Sequence, residues 1–87
     1  MNSVYKLIYH KKVLKFIEKQ PLDIQSRIAI SLKGLLSVPP EGDIKKLLGS
    51  QGLYRLRIGT FRALFSINHR EKIIYIEMIG NRGDIYR

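Results

Sequence analysis

Apolar side chains at Tyr54, Leu56, Ile58, Phe61, Ala63 and Phe65 occupy every second position on either side of Gly59-Thr60. This spacing predicts two antiparallel strands joined by a two-residue turn. Such a hairpin pairs Ile58 with Phe61, Arg57 with Arg62, Leu56 with Ala63 and Tyr54 with Phe65. Successive side chains on a strand point to opposite faces. The six apolar residues therefore share one face, and Arg55, Arg57 and Arg62 share the other. Like charges directly opposite one another cost about 0.2–1 kcal/mol per pair. A sheet that sets Arg57 against Arg62, with Arg55 beside them, calls for a bound polyanion.

The rest of the composition points the same way. The chain of 87 residues carries a net charge of +9, a field that draws in polyanions without choosing among them. Nucleic acid leads as the partner class, because no basic amphipathic helix with aromatic anchors is present to bind a membrane surface. The competing reading is a generally basic, solvated surface. The length suits one small domain, residues 1–87, and the hydrophobic content of 45% is enough for a core. There is no cysteine, so disulfides, thiolate metal sites and cysteine nucleophiles are all excluded. The N-terminus reads as polar and strand-like rather than as a signal peptide, and the longest apolar stretch, 28–36, is too short and too polar to span a bilayer. A soluble protein of the reducing cytoplasm is expected.

Residues 4–9 alternate and read as a first strand. Residues 11–19 change to helical spacing, with Val13, Leu14, Phe16 and Ile17 as the apolar stripe. Pro21 restarts the chain, and Asp23 sits in the first turn of a second helix, where an acid complements the helix dipole. Ile24, Ile28, Leu32 and Leu35 follow one face of that helix, which Pro39-Pro40 ends. Residues 41–52 read as a polar connector containing Leu47-Leu48. Strands are predicted over 53–58, 61–67 and 72–79, with 68–71 as a turn, 81–84 as a loop and 85–87 as a short final strand. The order β-α-α-β-β-β plus that tail implies an α+β fold. An N-terminal strand and an antiparallel helical hairpin accompany a twisted, mainly antiparallel sheet, the helices on one face and the arginines on the open one.

Conventional catalytic sets are missing. His10 and His69 fall at a strand end and in a turn and read as surface residues. The acids, Glu18, Asp23, Glu41, Asp43, Glu71, Glu77 and Asp84, show no metal-ligand or paired-carboxylate spacing. Gly49-Ser50-Gln51-Gly52 lacks the following helix of a phosphate loop. No metal and no cofactor are expected. The remaining candidates are the arginine cluster together with Arg82 and Tyr86, if the tail folds back beside the sheet. Arginine grips phosphate oxygens two at a time, and a tyrosine ring stacks on an unpaired base. Each also has a plain structural reading. Tyr86 could cap the core edge, Arg62 could bridge strand and tail to Asp84 or Glu77, and Arg55 could be a solvated strand residue.

The hairpin Leu53-Tyr54-Arg55-Leu56-Arg57-Ile58-Gly59-Thr60-Phe61-Arg62 and the ending Ile79-Gly80-Asn81-Arg82-Gly83-Asp84-Ile85-Tyr86 resemble the corresponding parts of RelE/ParE-superfamily toxins. The element order also fits, so the resemblance spans essentially the whole chain. It implies a toxin of a type II toxin–antitoxin system. In its RelE-like form this is an mRNA interferase, cutting messenger RNA in the ribosomal A site by metal-free attack of the 2′-hydroxyl on the adjacent phosphate. On that resemblance Arg55 and Arg57 are basic catalytic-face residues and Arg62 is the transition-state arginine. Arg82 serves the phosphate or leaving group, and Tyr86 stacks on a base. Several RelE-like toxins carry lysines at the first two of these positions. An arginine does not lose its proton, so here the general base would be Tyr86, a substrate group or a ribosomal group. The alternatives are a ParE-type, non-enzymatic inhibitor of DNA gyrase and a catalytically weak RNA binder. Either toxin reading implies a cognate antitoxin and binding of operator DNA by the toxin–antitoxin complex.

Overall fold

The computed structural model describes residues 4–49 and 52–81. The elements run β1 (Lys6–Tyr9), α1 (Lys11–Glu18), α2 (Leu22–Lys33), a single 3-10 turn (Gly34–Leu36), β2 (Asp43–Lys46), β3 (Leu53–Ile58), β4 (Phe61–Asn68) and β5 (Ile73–Asn81). The strands form one five-stranded sheet in the order β1-β5-β4-β3-β2. β1 lies parallel to β5, and every other pairing is antiparallel. The helices supply the crossover that carries the chain from the β1 edge to the far side of the sheet, as a parallel pairing requires.

The hairpin forms in the expected register: Tyr54 opposite Phe65, Leu56 opposite Ala63, Arg57 opposite Arg62 and Ile58 opposite Phe61. Gly59 takes a φ of +59°, a left-handed conformation that costs glycine little and other residues more. On the inner face Leu56, Ile58, Ala63 and Phe65 are buried together with Ile74, Ile76 and Ile79 of β5. The helices close over them with Val13 from α1 and with Ile28, Leu32 and Leu35 from α2 and the turn after it. Each such side chain contributes about 1.5–3 kcal/mol of burial. Phe16 of α1 meets Phe61 edge-on at 5.8 Å, which pins the first helix to the strand that carries Arg62.

Several expectations are corrected. The connector at 41–52 contains a strand, β2, paired antiparallel to β3 with Asp43 opposite Arg57 and Ile44 opposite Leu56. Ile44 is its one inward apolar residue, and the lysines beside it suit an exposed edge. Leu14 lies outside the stripe of α1 and is 47% exposed. β4 extends to Asn68 and β5 begins at Ile73, so the turn between them lies later than expected. β5 also carries a bulge: Leu64 faces Met78 while Phe65 faces Ile76, leaving Glu77 as the extra residue. The final strand expected at 85–87 lies outside the described residues.

Candidate nucleic-acid interface

Strand register gathers Arg55, Arg57 and Arg62 onto the sheet face away from the helices. The three are not equivalent. Arg62 is 7% exposed, and its Nη1 donates to the carbonyls of Phe61 at 3.2 Å and Gly59 at 3.5 Å. Those contacts hold the guanidinium at the turn end of the hairpin. Leu64, next along the same face, is also 7% exposed. The face expected to be open is therefore covered around its centre.

Arg55 is held from the other side. Its Nη2 donates to Asp43 Oδ1 at 2.8 Å and lies 3.5 Å from the Asp43 carbonyl oxygen. Its Nε is buried with no hydrogen-bond partner among the described residues, so none of them offsets the desolvation of that donor. Arg57 is exposed, flanked across the sheet by Asp43 on one side and Arg62 on the other. Asp43 thus answers the electrostatic problem posed by the hairpin. One carboxylate from the edge strand sits against Arg57 in register and pairs with Arg55, while Arg62 turns toward its own loop carbonyls.

Arg82 and Tyr86, the two tail candidates, lie outside the described residues. Of the partners considered for Arg62, Asp84 also lies outside them, whereas Glu77 bonds elsewhere: Ser66 Oγ donates to Glu77 Oε2 at 2.8 Å. Both histidines have defined roles. His10 Nδ1 accepts the Lys12 N–H at 3.0 Å and caps α1. His69 Nδ1 is 2.7 Å from the Tyr5 hydroxyl. Among the described residues, no group of three histidine, aspartate or glutamate side chains is placed to hold a metal ion. Nor is any described helix long and apolar enough to cross a membrane.

Two acids on this side of the sheet have partners that residue spacing does not assign: Asp43 with Arg55 and Glu77 with Ser66. Asp43 was missed because β2 was missed, although Asp-Ile-Lys-Lys does place one apolar residue between charges in a strand-like way. Glu77 had a clearer signal. Ile74 and Ile76 are two apart and Ile79 three further on, and such a change of parity along one strand marks a bulge.

An apolar cleft of about 180 Å³, lined by Tyr5, Leu35, Val38, Ile67 and Ile74 among others, is made from residues of the helix-covered side. It offers a surface for apolar groups rather than for phosphate.

Comparison with known proteins bears on the family and the fold. No family model matches the chain. A curated relative named as toxin RelE1, from Methanocaldococcus jannaschii, is 35% identical over 81 residues and covers 90% of both chains. Among solved structures, the archaeal RelE–RelB complex of Pyrococcus horikoshii is similar with a TM-score of 0.77 and 33% identity, over 92% of this chain and 97% of that one. The RelB–RelE antitoxin–toxin complex of Methanococcus jannaschii gives a TM-score of 0.72 at 26% identity, over 91% of this chain and 94% of that one.

Proposed function

Because the chain belongs to the RelE toxin family, we propose that it is an mRNA-cleaving toxin that acts on the ribosome and is held in check by a small antitoxin. The observation that carries this reading is the placement of Arg57 directly opposite Arg62, with Arg55 beside Arg57, on one sheet face. Such a face suits a phosphodiester whose negative charge grows during reaction.

The chemistry is an internal transesterification. The 2′-oxygen attacks the neighbouring phosphorus as its proton leaves, and the P–O5′ bond breaks as O5′ takes up a proton, leaving a 2′,3′-cyclic phosphate. The phosphorane between these states carries more charge on its non-bridging oxygens than the diester does. Donors fixed in advance near those oxygens therefore lower the barrier. Arg62 is the most buried of the three arginines, and its turn carbonyls set its position before substrate arrives. Arg57 is the most accessible. Arg55, tied to Asp43, contributes charge at the rim.

No arginine serves as the base. With arginines where several relatives carry lysines, that role falls to Tyr86, a substrate group or a group of the ribosome, which also orients the message; on the family resemblance Arg82 serves the phosphate or the leaving oxygen. The solved RelE–RelB relatives are complexes with antitoxins. An acidic antitoxin segment matches the +9 charge of this chain, and the resulting complex would bind its own operator DNA. The gyrase-inhibitor alternative has no support in the relatives above, which are RelE proteins.

The test is induced expression with mapping of mRNA 5′ ends. Translation-dependent ends that vanish in Arg62→Ala support the reading. Equal cleavage in that variant would overturn the site, and growth arrest through gyrase inhibition without new ends would overturn the activity.

A further inference from the structure

Helix α2 lies on the sheet face opposite the arginines, yet one of its side chains comes round to the tip of the hairpin. Arg27 directly precedes Ile28, which is fully buried in the core. It therefore leaves α2 at the margin of the packed stripe, where it is exposed. Its Nη1 lies 3.9 Å from the position that a Cβ on Gly59 would take, which is contact distance from the turn. Arg62 reaches the same glycine from the other face, where its Nη1 donates to the Gly59 carbonyl oxygen at 3.5 Å. Two guanidinium groups from two layers of the molecule thus bracket one turn. These two distances, joined by the roughly 3 Å between the Cβ position and the oxygen of one residue, put the Nη1 atoms at most about 11 Å apart.

The charge of Arg27 is placed but not answered. It makes no ion pair with any described residue, although Asp23 stands four residues before it on the same helix, a spacing at which acid and arginine can meet. Arg55 is the contrast, with Asp43 against it at 2.8 Å. A single strand of RNA carries a negative charge on every nucleotide, and proteins hold such strands with a line of cations that follows the backbone. Arg57 and Arg62 make one point of that line on the sheet face. Arg27 makes the next, beyond the turn and within reach of an adjoining phosphate on the same strand. Glycine at position 59 keeps the crossing point between them free of a side chain.

We infer that Arg27 is a second phosphate contact, binding a backbone phosphate that adjoins the one held at Arg57 and Arg62, so that the RNA runs over the hairpin tip from the arginine face toward α2. The inference rests on the RNA-cleavage reading above.

The test is binding of a short single-stranded RNA of mixed sequence to the intact toxin, followed by fluorescence anisotropy over a salt series. One phosphate contact on a single strand contributes about 0.7 to the slope of log affinity against log salt. Arg27→Gln should reduce the slope by that amount, so that between about 50 and 200 mM salt wild type loses about 2.6-fold more affinity than the variant. Arg27→Lys, which keeps the charge, should retain the wild-type slope. The effect should be the same for RNAs of different sequence, because a backbone contact carries no base information. The melting temperature of Arg27→Gln should match that of wild type, which a role in holding the turn would not allow. A slope that Arg62→Ala reduces and Arg27→Gln leaves alone overturns the Arg27 contact and spares the arginine face. A slope reduced in Arg27→Gln, from a toxin that cuts no message on translating ribosomes, overturns the RNA-cleavage reading and leaves the contact standing. Absence of salt-dependent RNA binding by wild type overturns both.

Discussion

The two faces of the sheet are made by the same strands, yet opposite kinds of interaction hold them. On the helix-covered face Phe65, Leu56 and Ile76 need only apolar neighbours, and Ile28, Leu32 and Val13 provide them. Tyr54 stacks on Phe65 at 5.5 Å, continuing that packing toward the rim. On the other face three cations stand side by side. Each is accommodated differently: Arg55 by Asp43, Arg62 by carbonyls of its own turn, Arg57 by exposure. The first arrangement lowers the free energy of folding through contact area. The second leaves repulsion in the folded state that a phosphate relieves. Substitutions on the first face should therefore register as stability, and those on the second chiefly as activity.

The largest effect expected is on the packed face. Phe65→Ala removes a fully buried ring at the sheet centre and should cost about 3–5 kcal/mol, measured by chemical denaturation. A loss below about 1 kcal/mol would mean that this face is not the principal core.

Arg62→Ala supplies the counterpart. Loss of one preorganised donor to a developing oxyanion costs about 10²–10³ in rate, so mRNA cleavage on translating ribosomes should fall by that factor. Arg62 is itself buried, so thermal melting of the same variant is the control. If its stability falls as far as that of Phe65→Ala, the contrast between the faces fails at this residue.

Arg57→Thr tests the contrast more finely, because here the two effects should have opposite signs. Removing the charge opposite Arg62 relieves about 0.2–1 kcal/mol of cross-strand repulsion. Cleavage should nonetheless fall about tenfold or more, since a charge-assisted hydrogen bond is worth about 1.5–3 kcal/mol. Urea midpoints and cleavage rates on the same preparations decide it. A variant less stable than wild type would show that Asp43 already compensates Arg57 in full.

The same contrast explains what was legible beforehand. Hydrophobic periodicity dictates the packed face, so the hairpin register and the stripe Ile24, Ile28, Leu32, Leu35 could be read from residue spacing alone. Leu14 failed that test because i+1 of Val13 points away from the stripe, whatever its hydrophobicity. The arginine face could be read only as far as strand parity reaches. Parity put three arginines together, but not the carboxylate that separates their roles. β2 holds a single inward apolar residue, Ile44, so periodicity had too little to register. Glu77 depends on a slip of one residue in β5, visible as the odd spacing before Ile79 but interpretable only beside β4. Arg82 and Tyr86 were legible as candidates by residue type, given a tail that folds back beside the sheet, and the family resemblance gave them roles; both lie outside the described residues.

Asp43 brings the comparison to a smaller scale. It is 57% exposed on an edge strand, against 14% for Arg55, and exposed ion pairs are worth about 0.2–1 kcal/mol. A double-mutant cycle between Asp43→Ala and Arg55→Ala should return a coupling within that range. It should shrink in high salt, since a pair at the rim is screened. Coupling well above about 1 kcal/mol, unaffected by salt, would make the pair part of the core rather than of the rim.

The smallest effect lies on the packed face and concerns pH. Burial raises the Tyr9 phenol above its ordinary value of 10.0, because the charged form is penalised away from water. At a pH between the ordinary and the raised value, the folded protein retains a proton that the unfolded chain has released. This contribution to stability is therefore complete below about pH 10 and is lost as the pH rises through the raised value. Tyr9→Phe removes the titrating group and keeps the ring, so denaturation midpoints measured from pH 9 upward should fall less steeply than in wild type. Lysine deprotonation is common to both proteins and cancels in the difference. Parallel curves would place the Tyr9 hydroxyl in contact with water and restrict the packed face to the residues under the two helices.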